Sequence, residues 1–140
     1  MLVSEFMDTN LITIKFDDKL SVVKAIFEKS EIHYAIVVED KKVFAVVSDR
    51  DLYMALSPNV GTVTETLKDV ATLNKRVHQI ATRDPVVLKS DAPIAAAIGI
   101  FSEMPISYIP IVNDRMEPLG IISARNVFKV ILALMQTTTK

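Results

Sequence analysis

The chain has 140 residues, half of them apolar, with a formal net charge of -1, enough for one compact domain of ordinary size and with no long-range pull toward nucleic acid or an acidic membrane surface. The absence of cysteine excludes disulfides and thiolate metal ligands. His33 and His78 are the only histidines, no ligand-spaced cluster accompanies them, and no apolar run approaches the ~20 residues of a bilayer span, so neither a metal site nor membrane insertion is expected, and a cytoplasmic protein is the default.

Taken in order, Val3 to Met7 reads as a short helical lead-in and Leu11-Ile12-Thr13-Ile14 as a short strand. Leu20, Val23, Ile26 and Phe27 then recur at helical spacing. Tyr34 to Val38 is an unbroken apolar run, the pattern of a strand covered on both faces. A polar turn, Glu39-Asp40-Lys41-Lys42, joins it to a second strand over Val43 to Val47, so the two form a hairpin. A helix starts at Ser48 and stops near Ser57-Pro58. The stretch from Asn59 to Arg76 is more polar and reads as a connector with a weak helix around Glu65 to Leu73.

The pattern then restarts. Val77-His78-Gln79-Ile80 mirrors Val3 to Phe6, Val86 to Lys89 mirrors Ile12 to Lys15, Ile100-Phe101 mirrors Ile26-Phe27 and Tyr108 mirrors Tyr34, all 74 positions apart. After the hairpin turn the offset becomes 75, as in Ser48 to Ser123 and Arg50 to Arg125. One extra residue in the turn Asn113 to Glu117 accounts for the change, since turns tolerate insertions. A constant offset across so many element types indicates tandem duplication. The division is residues 1–58 as the first repeat, 59–76 as connector, 77–136 as the second repeat and 137–140 as a tail. A repeat of about 60 residues buries little surface alone, so the halves are expected to share one core about a pseudo-two-fold axis, with two equivalent crevices between them where small ligands bind.

Two segments punctuate the repeats, Ala45-Val46-Val47-Ser48-Asp49-Arg50-Asp51 and Gly120-Ile121-Ile122-Ser123-Ala124-Arg125-Asn126. Each places a serine where a strand pattern gives way to a helical one. A serine there caps the helix by accepting from an orphan amide, and such helix starts favour anions. These segments, with Arg76 to Val86 as lead-in and first strand and Tyr108-Ile109-Pro110-Ile111-Val112-Asn113-Asp114 as the strand with its proline, resemble the CBS domain, named for cystathionine β-synthase. The tandem pair resembles a Bateman module over about Leu2 to Leu134. The resemblance implies an α+β fold of two β-α-β-β-α repeats packed with pseudo-two-fold symmetry into one module. It further implies that modules pair through their helices as a homodimer and bind adenosine-containing ligands (AMP, ADP, ATP or S-adenosylmethionine), passing occupancy to a partner.

Carried over residue by residue, the resemblance gives Ser48 and Asp51 the phosphate and ribose of a first site. Arg50 and His33 lie toward the phosphates, and Thr82, Asp84, Pro85, Ile106, Ser107 and Tyr108 make the adenine wall. A second, weaker site uses Ser123, Arg125 and Asn126, with Thr9, Asn10, Leu11, Ile32, Tyr34 and Ala35 as its wall. The copies depart from the family pattern in opposite ways: Asn126 stands where an aspartate is expected, and Ala45 where a glycine is expected. An amide oxygen accepts less strongly than a carboxylate, which favours the Asp51 site.

Plainer roles stand beside these. Ser48 and Ser123 are sound N-caps with or without ligand, Asp51 complements a helix dipole, and Arg50, Arg125 and His33 suit a solvated surface. Three classes of function follow. The first is a stand-alone sensor that needs no cofactor, takes an adenosine compound as regulatory ligand and signals to a separate effector protein. The second is a dimerisation scaffold with degenerate, non-binding sites. The third, an enzyme, is disfavoured, because no triad-like grouping, metal cluster or glycine-rich phosphate loop is present.

Overall fold

The two apolar runs joined by Glu39 to Lys42 fold back on one another in the computed structural model, which describes residues 1–138. β2 (Tyr34–Glu39) and β3 (Lys42–Ser48) pair antiparallel, with Tyr34 opposite Ser48 and Glu39 opposite Lys42. The two residues between them, Asp40 and Lys41, both take positive φ, 50° and 66°, which matches the strand twist in a tight hairpin. The later hairpin joins β6 (Tyr108–Val112) to β7 (Pro118–Ser123), with Tyr108 opposite Ser123. Its turn is longer, and the Asn113 carboxamide oxygen organises it by accepting from the amides of Arg115 and Glu117 at 2.9 and 3.0 Å. The extra residue behind the change of offset is held there.

The chain divides into two compact units. One is Ile12–Asp84, and the other joins Met1–Leu11 to the chain from Pro85 onward. In the first, the sheet order is β1-β2-β3-β4, with β1 (Thr13–Ile14) parallel to β2 and β4 (Thr82–Arg83) antiparallel to β3. The helices are α1 (Leu20–Lys29), α2 (Asp49–Ala55) and the connector's α3 (Leu67–Ala71), which a 3-10 turn, Thr72–Asn74, continues. In the second, β5 (Leu88–Lys89) is parallel to β6, and α4 (Ile94–Glu103) packs with α5 (Ala124–Thr138). The expected two-repeat α+β architecture is therefore present. Helix α5 runs through the start of the expected tail, and residues 139–140 lie outside the described residues.

Each unit is built from one repeat's body and the other repeat's lead-in. The lead-ins are single 3-10 turns, Val3–Glu5 and Val77–Gln79, rather than longer helices. The Val3 amide donates to the Ala92 carbonyl at 2.9 Å and the Ile94 amide to Met1 at 2.9 Å. In the other unit, the Val77 amide donates to Asp18 at 2.9 Å and the Leu20 amide to Lys75 at 2.9 Å. Asp8 then bridges to Ile121, as Thr82 pairs with Val46. The same positions of the repeat make the same bonds twice, in reciprocal exchange.

Buried apolar side chains form two clusters. One gathers Leu20, Val23, Val37, Val47 and Leu52 around Val77, and the other gathers Ile94, Ile109, Ile111, Ile122 and Val127 around Val3. The buried guest valine of each cluster comes from the other repeat's lead-in. Both parities of the central strands are buried, Ala35, Ile36 and Val37 alike, as the unbroken apolar run predicts.

One position shows how closely a lead-in is fitted. A Cβ on Gly120 would meet Met7 Sδ at 2.5 Å and the Asp8 carbonyl oxygen at 3.0 Å. The thioether can swing aside, but the carbonyl is held by the paired Asp8–Ile121 bonds of 2.8 and 2.9 Å. In the other unit the counterparts are Ala45 and Ala81, a larger strand residue with a smaller lead-in residue. Gly120→Ala is therefore expected to cost about 1–2 kcal/mol through overpacking. Adding Met7→Ala, which imports the other unit's pairing, should recover part of that loss in a chemical-denaturation series.

Candidate functional site

The two strand-to-helix turns are local consequences of the hairpins. β3 ends at Ser48 with extended backbone (φ -93°, ψ 163°), and α2 begins at Asp49. Ser48 Oγ accepts from the Asp51 amide at 3.0 Å, and Asp51 Oδ2 accepts from the Ser48 amide at 3.0 Å. This is a reciprocal capping box with aspartate in the usual place of glutamate. The second turn repeats it: the Asn126 amide donates to Ser123 Oγ at 3.1 Å and the Ser123 amide to Asn126 Oδ1 at 2.9 Å. Ser123 Oγ also donates to Asn126 Oδ1 at 2.7 Å. Each turn is closed by the residue just ahead of the hairpin's first strand, since the Asp49 amide donates to the His33 carbonyl and the Ala124 amide to that of Ser107, both at 2.8 Å.

The turns match in backbone and differ in charge. The first carries Asp49 and Asp51 against one guanidinium, Arg50, and His33 Nδ1 lies 2.9 Å from Asp49 Oδ2. His33 is thus engaged by a carboxylate of its own turn. The second turn carries Arg125 and no carboxylate. Asn126 Oδ1 is occupied by both Ser123 donors, so its amide NH2 is the group left to face outward. Asp51 spends Oδ2 on the cap and leaves Oδ1 for a further donor. Beside its arginine the first turn thus offers a carboxylate oxygen, and the second an amide NH2.

The expected wall residues fall in both units. Thr82 and Asp84 lie with Ser48, Arg50, Asp51 and His33 in the Ile12–Asp84 unit, whereas Pro85, Ile106, Ser107 and Tyr108 lie in the other. Within the first unit, Thr82 pairs with Val46, two residues before Ser48. The Asp84 amide reaches the Phe44 carbonyl at 3.3 Å, four residues before Ser48, or about 13 Å along the strand. Asp84 itself takes a positive φ of 50° ahead of Pro85. For the second turn, Thr9 and Asn10 follow the Asp8–Ile121 bridge and share its unit, whereas Ile32, Tyr34 and Ala35 belong to the other; Leu11 closes the lead-in, its amide donating to the Thr9 carbonyl. Ala35 is fully buried, so its side chain faces the core.

The sequence pattern passes over Asp49, because its counterpart is Ala124 and the repeat gives no signal there. It also passes over a surface cluster beside β4, where the Arg83 guanidinium lies 4.8 Å from the centre of the Phe16 ring and Phe16 tilts against Phe44 at 6.4 Å. The counterparts in the other unit, Thr9, Ser90 and Leu119, cannot form it. Among the described residues no group of His, Asp and Glu is arranged to hold a metal ion, and no helix is long and apolar enough to cross a membrane.

Each unit thus carries one strand-to-helix turn closed by a serine cap, and the pattern recurs along the chain as a tandem repeat. The CBS-domain family model matches residues 3–58 and 77–133, and the chain belongs to that family. Solved structures share the fold. CBSX2 in complex with AMP is 24% identical, with a TM-score of 0.80 over 96% of this chain and 98% of that one. The CBS domain pair of protein MJ0100, in complex with 5′-methylthioadenosine and S-adenosyl-L-methionine, is 19% identical, with a TM-score of 0.78 over 95% and 97%. CBSX2 from Arabidopsis thaliana, at 21% identity, gives 0.77 over 96% of each chain. No curated protein matches at a significant level.

Asn126 shows that an amide sustains the capping box. Asp51→Asn is therefore expected to leave thermal stability within about 0.5 kcal/mol of the parent, whereas Ser48→Ala, which removes the cap, should cost about 1 kcal/mol. Thermal denaturation of the two variants side by side checks the ordering.

Proposed function

We propose that this chain is a regulatory module that binds an adenosine-containing ligand (AMP, ADP, ATP or S-adenosylmethionine) and passes its occupancy to a separate effector protein, as a homodimer and without catalysis of its own. The observation that carries this reading is the pair of equivalent serine-capped turns, each with an arginine two residues after the serine. The adenosine compounds named with the AMP complex of CBSX2 and with the MJ0100 pair support the ligand class.

Charge then divides the work. Asp51 Oδ1 suits a ribose diol, because a carboxylate accepts from two hydroxyls at once. With Asp49 beside it, the first turn favours a ligand that is neutral or cationic near the ribose, such as the sulfonium of S-adenosylmethionine. The second turn, with Arg125, the Asn126 amide and the start of a fifteen-residue helix, favours phosphate. The ligand would act by selecting among pre-existing conformations that the partner distinguishes.

A scaffold with empty turns is the second reading, and one observation favours it: each capping box satisfies its own polar atoms without a ligand. Calorimetric titration separates the two. The sensor reading expects binding of at least one of the four compounds and a roughly tenfold loss on Asp51→Asn, the difference between a charged and a neutral acceptor. No binding by any of the four, together with a melting temperature indifferent to all of them, would leave the scaffold. A ligand at 100 times its dissociation constant adds ~2.7 kcal/mol of stability.

A further inference from the structure

Arg83 is an exposed residue with a fixed partner. Its guanidinium lies over the ring of the half-buried Phe16, 4.8 Å from the centroid. Phe16 belongs to the loop that receives the visiting lead-in, and three successive carbonyls of that loop are taken. Phe16 accepts from the His78 amide at 3.0 Å, Asp17 from the Arg76 guanidinium at 2.8 Å and Asp18 from the Val77 amide at 2.9 Å. The Phe16 amide donates to Glu39 Oε1 at 3.0 Å, which ties the loop to the hairpin. One residue thus holds the lead-in near its start, through His78, and near its end, through Arg83. In the other unit Leu2, Thr9 and Ser90 stand for Arg76, Arg83 and Phe16, so no guanidinium and no ring is available at those positions.

Thr82 and Asp84, the neighbours of Arg83, are expected wall residues of the first site. Arg83 pairs with Ala45 and Thr82 with Val46, so their side chains leave opposite faces of β4. Ala45 belongs to the hydrophobic cluster of this unit, whereas Val46 alternates with Ser48 on the other face. Thr82 is thereby turned to the face that carries the Ser48 cap. Asp84 holds a left-handed backbone (φ 50°) immediately before Pro85, where proline disfavours α-type backbone and a residue with a Cβ is uncommon. Such conformations persist only where the surroundings over-determine them. Here the Asp84 amide donates to the Phe44 carbonyl at 3.3 Å, and the Phe44 ring packs against Phe16 at 6.4 Å. We infer that Arg83 is a positioning residue for the first site: stacked on Phe16, it holds Thr82 and Asp84 in their binding arrangement before a ligand arrives. The second site has no such clasp on Thr9 and Asn10, so more of its ordering falls to the ligand. The inference rests on the proposed function, because Thr82 and Asp84 act only if an adenosine compound meets them.

Calorimetric titration of the full chain with the four adenosine compounds, beside nuclear magnetic resonance of the ligand-free protein, tests this. The Arg83 Hδ and Hε resonances should lie upfield in the parent, over the Phe16 ring, and return to ordinary values in Phe16→Leu. Arg83→Met keeps an aliphatic stem, and Phe16→Leu keeps an apolar residue in the loop. Each should weaken the first-site ligand, the one that Asp51→Asn also weakens, by roughly two- to fivefold, the worth of an exposed cation–π contact. Each should also speed hydrogen exchange at the Asp84 amide. The double variant should add little, as expected of two residues in one interaction, and Arg83→Lys should recover part of the loss. Phe16→Leu changes no charge, so weaker binding in Arg83→Met alone would mean that Arg83 acts on the ligand directly, which overturns the inference. Unchanged Asp84 exchange in both variants, or faster exchange with unaltered affinity, overturns it as well while leaving the proposed function intact. A parent that binds none of the four defeats the proposed function and the positioning role together, a failure told apart because it precedes any substitution.

Discussion

Each lead-in is hydrogen-bonded into the sheet and helix of the opposite repeat, and the rest of the structure depends on that exchange. The bonds are few: a 3-10 turn docks by its Val3 or Val77 amide, a return bond comes from the first helix of the host, and one short pairing runs along the hairpin edge. Their effect is large because the same segments place Val3 and Val77, both fully buried, in the two hydrophobic clusters. Burying a valine side chain contributes roughly 1.5–3 kcal/mol, a sizeable share of the 5–15 kcal/mol by which a domain is stable. Neither repeat's own sequence contains all the strands and core residues of a unit, so duplication here produced interdependence rather than two free-standing domains.

The turns inherit their geometry from this arrangement. A capping box contributes only about 1 kcal/mol, which would not fix a side chain on an isolated helix. Here the strand leading into each serine is paired on one side with the hairpin partner and on the other with the visiting lead-in. The serine, the residue three positions on and the carbonyl of His33 or Ser107 are therefore positioned by sheet register rather than by the cap alone. The acceptors and donors of each turn are thereby already oriented, the condition under which little ordering entropy would oppose a ligand.

Much of this is legible in the sequence. The hairpins, the helix spans and the duplication follow from apolar periodicity and from an offset that changes at one turn, where Asn113 now accounts for the extra residue. The serine caps follow from residue type at a strand-to-helix junction. Less legible is anything that depends on which segment pairs with which. Thr82–Arg83 is a two-residue strand with no pattern of its own, and it exists because β3 offers an edge. The lead-ins close as single 3-10 turns, the Phe6 amide donating to the Val3 carbonyl and the Ile80 amide to that of Val77, while the Val3 and Val77 amides donate to the other repeat. Asp49 has no counterpart to mark it, so the carboxylate engaging His33 emerges only from the geometry.

The same comparison bears on what the two departures from the family pattern mean. Read as sequence, Ala45 in place of glycine looks like a change at a ligand. In the fold, the glycine position faces the visiting lead-in: Gly120 makes room for Met7 and the Asp8 carbonyl, and Ala45 is matched by Ala81. The position is thus one where the strand packs against the visiting lead-in. Asn126 is different, because its carboxamide stands in the turn itself and performs the aspartate's capping role while removing its charge. Of the two departures, the second changes the charge of the turn. It does so at the start of the longer helix and beside an arginine without a competing carboxylate, so the duplicated turns have kept one backbone and diverged in electrostatics.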